Sequence, residues 1–384
     1  MYTKGKGKCG GGKRWVILLT IALVPLFILP GSVRGDDLGV LEKRVEALEK
    51  KDRKNKKPSF LSGVKLGGYG EFEYEDTEGK SSTFDNHRLV LKVTSALTKW
   101  MRFNSEIEYE HGTKEIELEQ AYMDIIFHRW VNIRAGAVLV PVGRLNLYHD
   151  APLLEPTSRP MVDRFIIPST WTEVGAGLFG GGIVTGPIYG GYEFYGINGL
   201  TESITGTKGL RDARGDLEQD NNSNKAFTGR VFARYGSLFE IGVSGYTGKA
   251  DKGNSSRVSI FAFDGLVKYS PFELAGEYGK VNITRGSLSV PAGMDGFYIE
   301  GRAHLLPPSM NVPSWATKFT VFYRYGDVDL DRDMVDENDR TRHTLGLNYR
   351  PIPTMAVKGE YQFNREEGSS ADNDTILLSL AFYF

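Results

Sequence analysis

The chain has 384 residues, of which 40% are hydrophobic, 12% aromatic and 25% charged, with 46 Gly, 16 Pro, one Cys and a formal charge of −1. That density of charge excludes a polytopic helical membrane protein, and the aromatic and β-branched content excludes wholesale disorder. The single cysteine, Cys9, excludes a disulfide framework, a four-cysteine zinc site, an iron–sulfur cluster and c-type haem attachment.

Residues 1–35 have the pattern of a cleavable signal peptide. Lys4, Lys6, Lys8, Lys13 and Arg14 precede an uncharged apolar run from Trp15 to Pro30, and small residues surround Val33 to Gly35. The run contains Pro25 and falls short of the ~20 residues that a spanning helix needs. Six of the 47 Lys and Arg residues, and none of the 48 Asp and Glu, lie before Asp36. The remainder therefore carries 41 basic against 48 acidic side chains, a net −7, which argues against a general nucleic-acid footprint. In 36–60, Leu38, Leu41, Val45 and Leu48 fall at 3, 4, 3 spacing, which predicts a short periplasmic coiled-coil helix followed by a basic linker. Fewer than three heptads are marginal alone, so the seam makes sense only between copies held together elsewhere.

From 61 to 384 the period changes to two, and sixteen segments alternate. They are 63–75, 87–97, 101–111, 114–127, 131–140, 172–184, 188–199, 225–235, 238–248, 257–269, 272–283, 294–305, 317–327, 340–349, 354–364 and 374–384. Links after even-numbered segments are mostly two to four residues long, and links after odd-numbered ones are mostly long and polar. Two exceptions stand out: the link near 111–114 is short, and 306–316 is long. Sorting of loop length by parity is the mark of an outer-membrane barrel, with short periplasmic turns at one rim and longer loops at the other. Segments of this length suit tilted membrane strands, and an even count lets the first pair with the last. The expected fold is all-β, a 16-stranded antiparallel transmembrane barrel. Trp100, Trp130, Trp171 and Trp315 all fall at segment ends, where interfacial girdles are expected.

Alternation assigns the faces. Leu89, Leu91 and Val93 should meet lipid, leaving Arg88 and Lys92 inside; likewise Arg102, Glu106, Glu108 and Glu110 face in, and so does Arg134. Near the end, Leu345, Leu347, Val357, Tyr361 and Phe363 face out, with Arg342, Asn348, Lys358, Glu360 and Gln362 inside. The fourth segment loses phase between Leu118 and Ala121, which predicts a bulge near Glu119-Gln120. So charged a lumen predicts a water-filled interior braced by ion pairs, because unpaired buried charge costs several kcal/mol. The longest link, 141–171, is too apolar to wave in solvent, and is expected to fold into the barrel and narrow it. Arg144, Arg159 and Arg164, with Glu155 and Asp163, are then the candidate constriction, and rings of arginine favour anions.

The stretches FDNHRLVLKVTSALTKWMRFNSEIEYEH (84–111), ELEQAYMDIIFHRWVNIRAGAVLVPVGRLN (117–146) and RPMVDRFIIPSTWTEVGAGLFG (159–180) resemble the phosphate-selective porin O and P family. The specific part covers about 100 residues. The resemblance implies a homotrimeric outer-membrane channel of a Gram-negative cell, with an inward third outer loop, and phosphate recognition by arginines such as Arg134, Arg144, Arg159 and Arg164. Its partners would be outer-membrane lipid and lipopolysaccharide, with small hydrophilic solutes or anions passing through. The net −7 and the interleaved glutamates do not themselves point to phosphate. The alternative reading is a structural or adhesive barrel with a plugged lumen.

No enzyme chemistry and no cofactor or metal is expected. Gly175-Ala-Gly177-Leu-Phe-Gly180 matches the dinucleotide fingerprint, but a strand follows it where that motif needs a helix. The six histidines form no metal-binding pair in sequence and read as hydrogen-bonded wall residues, with His149-Asp150 the one pair of interest.

Overall fold

The computed structural model describes residues 63–384 apart from 216, 218, 219, 306–312, 314–317, 335–337 and 367–372. The expected signal in 1–35, the helix and linker in 36–60, and Trp315 lie outside the described residues. Sixteen strands follow in chain order. The first eight are β1 Val64–Thr77, β2 Thr83–Ala96, β3 Met101–Glu110, β4 Glu115–His128, β5 Val131–Leu139, β6 Thr172–Thr185, β7 Ile188–Ile197 and β8 Ala226–Tyr235. The second eight are β9 Phe239–Lys249, β10 Arg257–Tyr269, β11 Phe272–Thr284, β12 Gly293–Leu305, β13 Phe319–Asp329, β14 Asp339–Ile352, β15 Met355–Glu366 and β16 Thr375–Tyr383.

Each strand pairs antiparallel with its neighbours in sequence, and β1 pairs with β16 from Tyr69↔Tyr383 to Thr77↔Thr375, closing the barrel. Every segment expected from alternation is a strand, and both exceptional links are present where parity breaks. The largest differences are β2, which starts four residues early at Thr83, and β14, which runs three further to Ile352. Both extensions lie beyond a change of register, opposite Glu71/Glu73 and after Tyr349, where the alternation that marks a strand is interrupted. The bulge in β4 is at Glu119: Glu106 pairs with Gln120 and Ile107 with Leu118.

The faces are inverted relative to a soluble protein. Phe261, Phe263, Val267, Leu345, Leu347, Val357 and Phe363 are exposed on the outer wall, while Arg88, Asn348, Lys358, Glu360 and Gln362 are buried inside. An apolar outer belt around a charged interior is stable only in hydrocarbon. Aromatic rings gather at the short-turn rim, where Tyr235 stacks on Phe239 and Phe319 on Tyr349, with centroids 5.7 and 4.5 Å apart. Trp100, half exposed beside the β2–β3 turn, sits where a girdle residue belongs. Trp171 does not. It is fully buried inside the barrel, 5.0 Å from the Tyr246 ring, and its indole N–H donates to Glu173. It ends the inward link instead of facing lipid. The Gly175–Gly180 run lies within β6 and opens no helix; a Cβ on Gly177 would collide with the Phe194 carbonyl oxygen and the Tyr195 ring.

Phe263 lies mid-strand on the lipid face, so Phe263→Arg should cost about 2–4 kcal/mol. Urea titration of the barrel folded into lipid vesicles measures this, and an unchanged midpoint would place that wall outside hydrocarbon.

Candidate functional site

The link between β5 and β6 folds into the lumen, as its apolar content requires. It turns inward at Gly143, whose φ of 72° favours glycine and where a Cβ would overlap the Glu277 carboxylate. The Gly143 amide donates to Ser244 Oγ at 2.9 Å and the Arg144 amide to Glu277 at 3.1 Å. Asn146 clasps the two ends of the link: its Nδ2 donates to the Val140 carbonyl, and its Oδ1 accepts from the Trp171 amide. The chain then crosses to the opposite wall. Asp150 accepts from Lys92 at 2.7 Å and from the Tyr383 hydroxyl at 3.0 Å. Lys358 donates to the Ala151 carbonyl at 2.7 Å, Arg350 to the Pro152 carbonyl at 2.6 Å, and the Thr157 amide to Glu360 at 2.8 Å. Arg324 donates to the Ser158 carbonyl at 2.8 Å. Wall charges thus pair with backbone groups of a link that has only short helical turns of its own.

The second half of the link is dry. Met161, Val162, Ile166, Ile167 and Trp171 pack against Tyr195, Ile197, Leu200, Leu210, Ile260, Val281, Ile283 and Val328 in one buried cluster. A short π-helical turn, Val162–Ile166, presents this apolar face. The expectation of a uniformly water-filled lumen is therefore corrected: on the β7–β13 side the outer half of the barrel is filled with side chains. The signal was present in β10, which is apolar on both faces, with Val258, Ile260 and Ala262 inside and Phe261 and Phe263 outside. Asp163 in this half is fully buried, and burial together with the neighbouring Glu277 carboxylate pushes its pKa well above the usual range.

The nine side chains expected to line the constriction or the lumen do not form one ring. Arg159 and Arg164 line a cavity of about 460 Å³ on the β1–β3 and β14–β16 side, together with Arg88, Arg211 and Arg342. Arg144 instead pairs with Glu240 at 3.3 Å and lies over the Tyr148 ring. Arg134 pairs with Asp124 at 2.7 Å, within 4.1 and 4.7 Å of the Tyr122 and Phe179 ring centres, and braces β4 to β5. Lys92 pairs with Glu106 and Asp150, and Glu155 with Arg350. Arg88 is held by Glu108 at 3.0 Å and by Glu71 and Glu110 at 3.5 Å. Arg102 is exposed and stands in register with Asp124, away from the cavity. The reason is neighbourhood: a buried charge takes the opposite charge on the next strand or on the inward link.

Four guanidiniums escape this pairing. Among the described residues, Arg159, Arg164, Arg211 and Arg342 make no ion pair; Arg159 donates to Ser169 Oγ at 3.2 Å and Arg342 to Asn364 Oδ1 at 2.6 Å. Burial and Arg88 lower the Arg159 pKa, burial and Arg340 that of Arg164, while burial with Arg214, Arg164 and Arg159 lowers Arg211 to about 10. Crowded cations of this kind are relieved by an anion. The same cavity is also lined by Glu71, Glu73 and Glu75 of β1. Arg211 escaped the reading of strands because it lies in the link between β7 and β8; its signal is the RDAR run following Leu200, Ile204 and Leu210, which anchor that link in the dry cluster. His149 pairs with the bulge residue Glu119 at 3.1 Å, not with Asp150.

No protein-family model matches the chain. It is similar to an uncharacterized protein of Aquifex aeolicus (strain VF5), 26% identical over 362 residues that cover 84% of this chain and 80% of the other. Among solved structures it resembles OmpT, an outer membrane protein of Vibrio cholerae, in its loop L8 deletion form (TM-score 0.58, 12% identity, 84% of this chain and 99% of that one). It also resembles the anion-selective porin from Comamonas acidovorans (0.57, 12%, 84% and 99%) and the outer membrane channel DcaP of Acinetobacter baumannii (0.57, 11%, 85% and 99%). The fold is that of the outer-membrane porins.

Lys358→Met, Glu360→Gln and Arg350→Met together weaken the wall contacts of 151–158 and, if the barrel conducts, should raise and destabilise single-channel conductance in planar bilayers; identical steps would mean these wall contacts do not set the opening. Asp163, whose raised pKa makes its neutral form the stabilising one, contributes stability at low pH that is lost as pH rises through that value. Asp163→Asn should therefore flatten the fall in unfolding temperature that sets in above about pH 4, leaving values below it unchanged, as followed by circular dichroism.

Proposed function

We propose that the chain is an outer-membrane porin, a passive channel for small hydrophilic solutes that favours anions. The observation that carries this reading is the set of four unpaired guanidiniums on one cavity of a closed, lipid-facing barrel. Charged residues lining a pore set its ion preference, and arginine binds planar or tetrahedral oxyanions through paired N–H donors. The Comamonas structure, described as anion-selective, supports the same direction. Phosphate is the finer proposal, since it matches both the resemblance to the phosphate-selective porins and the chemistry of clustered arginines. The reading extends to the rest of the chain: export directed by residues 1–35, a short helix in 36–60 between copies, a homotrimer, and lipopolysaccharide around the outer rim.

The dry packing of Ile166, Ile167 and Trp171 favours a second reading, a structural barrel with its lumen plugged. Planar bilayers separate the two, because a plugged barrel gives no open steps. For the channel, reversal potentials in a salt gradient should show anion preference. Arg164→Ala with Arg342→Ala should move permeability toward cations several-fold, whereas Arg144→Ala, whose charge Glu240 already neutralises, should leave it in place. An equal shift in both would remove the unpaired arginines from selectivity.

A further inference from the structure

At the outer mouth of the cavity, two histidines that are 24 positions apart in sequence converge on one carboxylate. His111 Nδ1 lies 2.7 Å from Asp85 Oδ2, and His87 Nδ1 lies 3.2 Å from the same oxygen. The two imidazole rings meet edge to face with centroids 5.3 Å apart, and Glu73 Oε2 is 3.5 Å from His87 Nδ1. One ligand atom from each of Asp85, His87 and His111 falls within 4.8 Å of the other two.

Two local distortions build this meeting. Between Glu71 and Glu73 the β1–β2 register shifts, so β2 carries one extra residue there and the inward face changes phase from Arg88 to His87 and Asp85. In the β3–β4 connection, His111 has a φ of 48° and Thr113 of 81°, conformations that non-glycine residues rarely adopt. They turn the His111 imidazole back over the barrel mouth to Asp85. Strain held at one point by surrounding structure is commonly tied to a site.

We propose that Asp85, His87 and His111 bind a divalent transition-metal ion, zinc by preference, leaving the fourth position to water. Tetrahedral zinc with bonds near 2.0–2.1 Å sets neighbouring ligand atoms about 3.3 Å apart. The two imidazole nitrogens lie 2.7 and 3.2 Å from Asp85 Oδ2, so about half an ångström of opening brings both to that spacing. Two imidazoles and a carboxylate suit zinc, whereas calcium and magnesium take oxygen ligands throughout. Arg88 NH2 lies 2.8 Å from His87 Nε2 and, having only protons to offer, donates to it; the His87 proton is therefore on Nδ1, facing Asp85. Metal on Nδ1 moves that proton to Nε2, and Arg88 turns to Glu110, already 3.5 Å away. Asp85, Glu71, Glu73 and Glu110 offset the added charge beside Arg88. The ion would staple the β3–β4 hairpin to β2 at the rim. The proposal stands on these residues and does not depend on transport.

The test is isothermal titration of the full chain in detergent, metal-free and without a histidine tag, with zinc chloride. One zinc should bind per chain, and binding should fade below about pH 6 as the imidazoles protonate. Cobalt in place of zinc should give the visible absorption of a tetrahedral site. His87→Gln with His111→Gln should weaken zinc at least about 100-fold, and His149→Gln, at a buried pair elsewhere, should not. Heat-shifted mobility on gels verifies a folded barrel in each variant, and the single change His111→Gln, on an exposed residue, is read if the double variant does not fold. Absence of saturable zinc binding by the folded chain, or equal binding by the folded His111 variant, overturns the proposal.

Discussion

No backbone amide or carbonyl in hydrocarbon can go without a partner, and the pairing of β1 with β16 is what meets that condition around the whole wall. The rest of the molecule follows from closure. Once the sheet has no edge, alternation must put Phe261, Phe263 and Leu347 outside and Lys358, Glu360 and Asn348 inside. The charged interior then becomes the only surface on which the 141–171 link can satisfy its own backbone, so the loop's path is set by the wall's side chains.

That arrangement divides the interior in two. Toward β7–β13, the π-helical turn and Trp171 complete a dry cluster whose wall side comes from Ile260, Val281, Ile283 and Val328. Toward β1, β2 and β14–β16, the loop is held by hydrogen bonds, and the space left over is lined by charge. Within it, pairing decides which cations are free to act on a solute. Arg88 and Arg134 pair with carboxylates one strand away and Arg144 with Glu240 of β9, while Arg159, Arg164, Arg211 and Arg342 line the cavity with no ion pair among the described residues.

Two bulges do similar work in this wall. At Glu119 the extra residue turns a carboxylate inward to His149, fixing the loop where it begins its crossing. Opposite Glu71/Glu73 the extra residue brings His87 alongside Arg88 and toward His111. In both, a one-residue insertion re-aims a side chain without opening the barrel, because the ladder resumes on either side.

Much of this was legible in the residues alone. Period-two alternation located all sixteen strands, the parity of link lengths gave the two rims, the loss of phase after Leu118 marked the bulge, and the apolar content of 141–171 sent that link inward. These are local properties, since each depends on which face of its own strand a residue occupies. What only the tertiary structure decided is who stands opposite whom. Cross-strand register paired Arg134 with Asp124, and the paths of the links set Arg144 beside Glu240, drew Trp171 out of the expected girdle into the interior, brought Arg211 to the cavity, and joined His111 to His87. Alternation tells a side chain's direction but not its neighbour, and in a closed sheet filled by its own loop the neighbour determines whether a charge is structural or free.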